Sequence, residues 1–189
     1  VLIHPFDHRD IVVGQGTLGL ELVEDLPDLD TVIVGIGGGG LAAGVAAAVK
    51  ARAAAEGREV RIVGVQAENS AAYPTSLAAG HPIQVPTTPT IADGIAVARP
   101  GDLPFDLIRQ YVDEVVTVTE DDIARALLVL LERAKQVVEP AGAVGVAAIL
   151  AGKIQGTGRT VTILSGGNID PLLLQRVVAH GLSASGRYM

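Results

Sequence analysis

Residues 31–47 read TVIVGIGGGGLAAGVAA. The β-branched run 31–35 predicts a buried strand, the four glycines Gly37–Gly40 predict a loop, and the alanine-rich segment 41–55 predicts a helix. A strand, a glycine loop and a helix in this order indicate a parallel α/β unit. The stretch between Asp30 and Lys50 is uncharged, but its glycines would break a membrane-spanning helix in the middle, so we expect no membrane span here.

Strand and helix patterns alternate along the rest of the chain. Apolar runs predict further strands at residues 61–67, 114–118 and 160–164. Helical spacing predicts further helices at residues 71–79, 119–137, 140–151 and 170–180. Within this series Thr119 and Asp122 have the spacing of a helix N-cap and its partner. The expected fold is α/β, with a mainly parallel sheet and helices on both faces in three layers. The proline-rich segment 81–104 is predicted to be a long ordered loop, and Val1–Ile3 the interior of a strand.

Composition excludes several classes of protein. The chain has 189 residues, of which 49% are apolar and only 19% charged, which excludes intrinsic disorder. The absence of cysteine excludes disulfides and thiolate metal sites. A net charge of −7 without a basic cluster argues against nucleic acid or anionic lipid as a partner. The first residues do not form a signal peptide, so we expect a cytoplasmic protein.

The tetraglycine loop has the composition of a phosphate-binding site. Successive glycines expose backbone N–H groups, and the following helix N-terminus adds partial positive charge. The spacing Gly35-x-Gly37-x-x-Gly40 also fits the dinucleotide fingerprint, which leaves a nicotinamide-dependent oxidoreductase as an alternative. Glu68 follows 28 residues after Gly40, whereas the acidic residue of that fingerprint usually follows after about 20.

A second glycine-containing loop, Leu164–Asn168 (LSGGN), follows the last predicted strand. Ligands of parallel sheets bind beyond the carboxyl ends of the strands, so Ser165 can present its hydroxyl to a flat ligand there. An ordinary strand-to-helix turn is an equal alternative. No Gly-x-Ser-x-Gly motif supports a serine hydrolase.

Five motifs together resemble a known family. GGGGLAAGVA, TIADGIAV, VTVTEDDI, VEPAGAVGVAA and LSGGNID occur in this order. The same order is found in threonine dehydratases and, in similar versions, in serine dehydratases and serine racemases. These are fold-type II pyridoxal-phosphate enzymes. The opening HPFDHRDIVVGQGTLGLEL also resembles the segment that precedes the glycine loop in that family.

The resemblance implies a set of cofactor-binding residues. Gly37, Gly38, Gly39, Gly40 and the N–H of Leu41 correspond to the loop that holds the cofactor phosphate. Ser165 corresponds to the serine that hydrogen-bonds the pyridine nitrogen, and such a hydroxyl leaves the ring a weaker electron sink than a carboxylate would, which suits β-elimination of water. Gly94 corresponds to a backbone position beside the cofactor. Glu139 corresponds to a glutamate near the ring, although a carboxylate at the start of a helix before Pro140 is an adequate structural role.

Some relatives bind a cation through a carboxylate, a backbone carbonyl and a second acid. Glu68 and Ala72 match the first two positions, but Pro74, next to Tyr73, stands at the third. A cation is one interpretation of Glu68, and a solvated or capping role is another.

The Schiff-base lysine and the Ser-Gly-Asn-His substrate loop of the family lie upstream of the region resembled here. Lys50, Lys135 and Lys153 are not well placed to replace that lysine. We therefore expect residues 1–180 to be the C-terminal part of a catalytic domain, and 181–189 to be a connector toward a regulatory domain.

The resemblance implies that the parent enzyme deaminates L-threonine or L-serine to a 2-oxo acid and ammonia. It also implies a homo-oligomer that acts in isoleucine biosynthesis or threonine catabolism. The chain alone is expected to be inactive. A nicotinamide-dependent oxidoreductase, a non-catalytic homologue and a racemase stay open as alternatives.

Overall fold

A computed structural model describes residues 4–155, 158–184 and 186–187. Its centre is a parallel sheet of β1 (Leu29–Gly35), β2 (Arg61–Ala67), β3 (Glu114–Val118) and β4 (Arg159–Thr162). The strand order is β3-β2-β1-β4, and each neighbouring pair is parallel. The parallel α/β prediction is therefore confirmed.

Helices cover both faces of this sheet. They are α1 (Arg9–Asp25), α2 (Gly40–Ala55), α3 (Ala72–Ala79), α4 (Asp102–Tyr111), α5 (Glu120–Val129), α6 (Pro140–Leu150) and α7 (Pro171–Ala184). Successive side chains of β1 point to opposite faces, as the pleat requires. Val32 and Val34 pack with α1, α2 and α4, whereas Ile33 packs with α5, α6 and α7. The three-layer prediction is thus confirmed. Within the described residues, no helix is both long and apolar enough to cross a membrane.

Most local predictions match the structure. Strands β2 and β3 have the predicted bounds, and Thr119 and Asp122 form a reciprocal capping box at the start of α5. The helix predicted over 119–137 instead ends its α-helical part at Val129 and continues as a π-helical turn, Leu130–Ala134. Strand β4 ends at Thr162, two residues earlier than predicted, although the Ile163 N–H still bonds the Ile33 carbonyl at 3.0 Å.

Two helices were not predicted. The prediction of a loop over residues 81–104 was wrong for its last three residues, because α4 begins at Asp102 and has Pro104 in its first turn. A proline is tolerated there since its missing N–H would have no helical partner. Helix α1 lies in the opening segment, to which no element had been assigned. The strand predicted at 1–3 lies outside the described residues.

Glycines let α1 and α2 approach closely. A Cβ at Gly44 of α2 would overlap the backbone carbonyl oxygen of Val12, and one at Gly19 of α1 would lie 2.8 Å from the Val45 carbonyl oxygen. This contact fixes α2, and with it the glycine loop at its N-terminus, against the opening segment of the chain.

Candidate active site

The glycine loop ends in a helix with free N–H groups. Gly39 is the N-cap of α2 with a left-handed φ of 105°, and the first hydrogen bond of the helix runs from the Ala43 N–H to the Gly39 carbonyl at 2.8 Å. The N–H groups of Gly40, Leu41 and Ala42 therefore have no helical partner. Together with the helix dipole they favour an anion at this position.

The loop has no room for side chains. A Cβ at Gly38 would overlap the ring of Phe6, and a Cβ at Gly39 would overlap the Tyr73 hydroxyl. At Gly40 it would lie 3.0 Å from the Phe6 Cα. At Gly37 it would lie 3.1 Å from the Ile95 Cα. Neighbouring residues thus pack closely against the loop, and a side chain on any of these glycines would have to displace one of them.

This loop opens onto a cavity of about 280 Å³. The cavity is lined by every cofactor-binding residue predicted from the sequence, namely Gly37, Gly38, Gly39, Gly40, Leu41, Gly94, Glu139 and Ser165. The volume is close to the lower end of the roughly 300–1,000 Å³ typical of small-molecule pockets. Polar groups therefore converge on a space that suits a ligand with a single ring.

Glu139 and Ser165 line the same cavity. Glu139 is the N-cap of α6, but its side chain makes no capping bond to that helix. Its Oε2 instead accepts the N–H of Asn168 at 3.0 Å, and a Cβ at Gly166 would lie 2.5 Å from its Oε1. The carboxylate thus orders the loop that carries Ser165. The Ser165 hydroxyl is exposed and bonds no residue in the described part of the chain.

Gly94 reaches the cavity from a 3-10 turn, Asp93–Ile95. A Cβ at Gly94 would lie 3.0 Å from the Ala141 Cβ and 3.4 Å from Glu139 Oε1. The segment before it is tied to α5 by Glu120, whose two oxygens accept the Thr90 hydroxyl at 2.6 Å and the Ile91 N–H at 2.8 Å. These bonds place the turn against the glycine loop.

The predicted cation ligands lie away from this cavity. Glu68 is exposed at the start of a 3-10 turn, and Ala72 is buried at the start of α3. Neither residue lines the cavity. In the part of the chain that the structure describes, no group of three or more His, Cys, Asp or Glu residues could hold a metal ion. The cation stays a prediction.

None of the three lysines, all within the described ranges, lines the cavity. The Lys50 ammonium bonds both carboxylate oxygens of Asp113, at 2.8 and 2.7 Å. The Lys135 ammonium bonds the Glu132 carbonyl at 2.7 Å. Lys153 is exposed beyond the C-terminus of α6. Among the described residues, the cavity therefore offers backbone N–H and hydroxyl donors but no lysine amine.

Sequence reasoning missed two aromatic residues of the site. Phe6 lines the cavity, and Tyr73 is fully buried beneath the loop, where its hydroxyl donates to the Gly38 carbonyl at 3.1 Å. Burial raises the pKa of the Tyr73 phenol, and the negative charge of Asp7 raises it further, so this hydroxyl stays a neutral donor. Because only 3% of the residues are aromatic, the position of these two aromatic residues near the motifs was the signal that could have indicated a role in the site.

Fold and site define a parallel α/β domain whose glycine loop, at the carboxyl ends of the strands, is suited to an anion. Residues 1–166 match the family described as pyridoxal-phosphate dependent enzymes. The chain belongs to this family. The match confirms pyridoxal phosphate as the cofactor and disfavours the nicotinamide alternative.

The residues present fit this group. The side-chain-free loop with its unpaired N–H groups suits the phosphate, and the hydroxyl of the exposed Ser165, which lines the same cavity, suits a ring heteroatom.

Similar proteins agree with this assignment. The chain is 50% identical over 188 residues to the L-threonine ammonia-lyase of Thermotoga maritima, covering 99% of this chain and 46% of that protein. It is 45% identical to the catabolic L-threonine dehydratase TdcB of Escherichia coli K12, covering 90% of this chain and 51% of that one. The chain thus spans about half the length of the curated relatives it matches.

Solved structures show the same fold. Processed threonine deaminase isoform 2 from Solanum lycopersicum superposes with a TM-score of 0.86 at 34% identity, covering 94% of this chain and 52% of that one. Maize serine racemase superposes with a TM-score of 0.84 at 38% identity, covering 98% and 57%. The resemblance to threonine dehydratases and serine racemases is therefore confirmed.

Proposed function

We propose that the protein is a pyridoxal-phosphate-dependent ammonia-lyase that converts L-threonine to 2-oxobutanoate and ammonia, or L-serine to pyruvate and ammonia. The relatives named for threonine deamination support this substrate class. The observation that carries the proposal is the cavity itself, which gathers the free N–H groups of the glycine loop, the Ser165 hydroxyl and the Glu139 carboxylate.

Each of these groups has a separate role. The N–H groups of Gly40 and Leu41 hold the phosphate dianion at the start of α2. The Ser165 hydroxyl meets the ring nitrogen. Glu139, half-buried and bonded to the Asn168 N–H, keeps the Ser165 loop against the cavity. When bound, pyridoxal phosphate supplies the electron sink for loss of the Cα proton and the β-hydroxyl.

We also propose that this chain alone does not turn over threonine. Its three lysines are directed elsewhere or exposed, so none of them can serve as the Schiff-base amine at the cavity. Measurable 2-oxobutanoate formation from L-threonine by the 189-residue chain, above a control without protein, would contradict this.

Cofactor binding is the direct test of the site. We expect the chain to bind pyridoxal phosphate in a fluorescence or absorbance titration, and Gly38→Ala to weaken binding at least tenfold, because the new Cβ overlaps Phe6. Gly14→Ala is the matched control, since nothing lies within 4 Å of its Cβ. Equal affinity for both variants would overturn the proposed phosphate site, and protection by NAD alone in a melting assay would support the nicotinamide alternative.

A second experiment separates a lyase from a non-catalytic homologue. The full gene product is treated with pyridoxal phosphate and borohydride, and its intact mass is measured. One covalently fixed cofactor on a lysine outside residues 1–189 would support the lyase. No adduct would support a binding protein.

We further propose a cytoplasmic homo-oligomer that acts in isoleucine biosynthesis or threonine catabolism. The relative named as a catabolic L-threonine dehydratase supports the part of this proposal that concerns threonine catabolism.

A further inference from the structure

We propose that Tyr73 and Gln66 are positioning residues that hold the glycine loop in its anion-binding conformation from the side opposite the ligand. This inference rests on the phosphate role of the loop under the proposed function. Neither residue lines the cavity, so each acts only through the loop backbone.

Tyr73 contacts the loop at its centre. It lies near the start of α3 with 0% of its surface exposed, and its hydroxyl donates to the Gly38 carbonyl at 3.1 Å. The same carbonyl accepts the Gly101 N–H at 3.0 Å. The hydroxyl also fills the space that a Cβ at Gly39 would need. Both lone pairs of one loop carbonyl are therefore used on the buried side.

Gln66 extends this contact to the start of the loop. It lies on β2, is fully buried, and accepts the Tyr73 N–H at 2.8 Å through its Oε1. Its Nε2 donates to the Ile36 carbonyl at 3.2 Å. One buried amide side chain thus joins α3 to the end of β1, and a buried amide bonded at both ends permits little movement of its partners.

Fixing these two carbonyls orients the N–H groups of the loop. In a trans peptide the N–H of the next residue points opposite to the carbonyl. Holding the Ile36 and Gly38 carbonyls on the inner side therefore turns the N–H groups of Gly37 and Gly39 to the other side. Gly37 and Gly39 both line the cavity. The buried bonds thus arrange donors for an anion before the anion arrives, which lowers the ordering cost of binding.

The hydroxyl of Tyr73 can be removed without changing the shape of the ring. We expect Tyr73→Phe to weaken binding of inorganic phosphate and of pyridoxal phosphate by about fivefold to tenfold, the effect of one buried hydrogen bond. Binding of pyridoxal, which has no phosphate, should change less than twofold. Tyr111→Phe is the matched control, because Tyr111 is a half-buried tyrosine at the end of α4 that does not line the cavity.

The outcomes separate this proposal from the proposed function. If the unsubstituted chain binds neither phosphate nor pyridoxal phosphate, the proposed function fails and this inference fails with it. If it binds both and Tyr73→Phe binds them equally well, only the positioning role fails. If Tyr73→Phe loses affinity for pyridoxal and for pyridoxal phosphate by the same factor, Tyr73 has a structural role without a link to the phosphate. This result would also overturn the proposal.

A measurement on the unsubstituted chain covers the case in which Tyr73→Phe does not fold. Saturating inorganic phosphate should slow hydrogen exchange of the Tyr73 and Gly101 amides, because both donate within the bonds that hold the loop. The Thr88 amide, which donates to the Asn69 carbonyl, is the control and should not change. Unchanged exchange at all three amides would overturn the proposal.

Discussion

The carboxylate of Asp7 caps helix α4 through the backbone of Asp102. Its Oδ2 accepts the Asp102 N–H at 3.0 Å and its Oδ1 accepts the Leu103 N–H at 3.1 Å. The neighbouring Gly101 N–H bonds the Gly38 carbonyl. The segment with Phe6 and Asp7 is therefore held across the glycine loop by a cap that joins residues 95 positions apart.

Asp7→Ala should destabilise the chain by about 1–2 kcal/mol, because two N–H groups at the start of α4 lose their acceptor. Asp7→Asn retains one amide oxygen and should lose less. Urea unfolding measures both variants. Glu24→Ala, an exposed acid on α1, is the control and should stay within about 0.5 kcal/mol of the original chain. An Asp7→Ala variant as stable as Glu24→Ala would show that the cap contributes nothing.

The contact between α1 and α2 predicts opposite effects for two glycine-to-alanine changes. Gly44→Ala places a methyl group against the Val12 carbonyl oxygen and should cost about 1–3 kcal/mol. Gly14→Ala meets no atom within 4 Å on an exposed part of α1 and should add about 0.5–1 kcal/mol, because alanine loses less backbone entropy. The midpoints of thermal unfolding should therefore move in opposite directions. Movement in the same direction would refute the close helix contact.

Ser165→Ala should separate recognition of the ring from recognition of the phosphate. Ser165 lines the cavity from a different loop than the tetraglycine segment, so loss of its hydroxyl should weaken pyridoxal phosphate binding by about threefold to tenfold and leave inorganic phosphate binding unchanged. Ser183→Ala, an exposed serine on α7, is the control. Titration of each variant with the two ligands provides the comparison. A loss of phosphate affinity in Ser165→Ala would place the serine at the wrong end of the ligand.

The raised pKa of the Tyr73 phenol predicts a loss of stability in alkaline solution. Burial first, and then the charge of Asp7, raise the pKa of the folded phenol above the value of about 10 in the unfolded chain. The unfolded state therefore releases this proton first as the pH rises above about 10. The contribution of the neutral Tyr73 phenol to the free energy of unfolding is therefore complete below that pH and is lost above it. Between pH 9 and 11 the original chain should lose more stability than Tyr73→Phe, whose unfolded state has no phenol to ionise.

The alkaline comparison uses thermal unfolding at several pH values. Tyr111→Phe is its control, because both variants lack one phenol. Parallel curves for Tyr73→Phe and the original chain would exclude a raised pKa at Tyr73.

The sequence by itself determined the elements whose signals are local. Strand β2 had the predicted bounds because its apolar run is short and bounded, and α5 began at Thr119–Glu120 because a capping box needs only four neighbouring residues. The glycine loop between β1 and α2 was predicted for the same reason, since a left-handed residue such as Gly39 strongly favours glycine.

Tertiary structure alone decided which residues surround that loop. Gln66 and Tyr73 bond to it from β2 and α3, and Asp7 caps α4 beside it. Nothing in the sequence neighbourhood of these residues indicates these contacts. Helix α4 was not predicted, because a glycine before its start and a proline in its first turn are typical of a loop. The cap that Asp7 provides comes from a distant part of the sequence. A local pattern specifies backbone conformation, whereas contacts between distant residues depend on how the strands are ordered in the sheet.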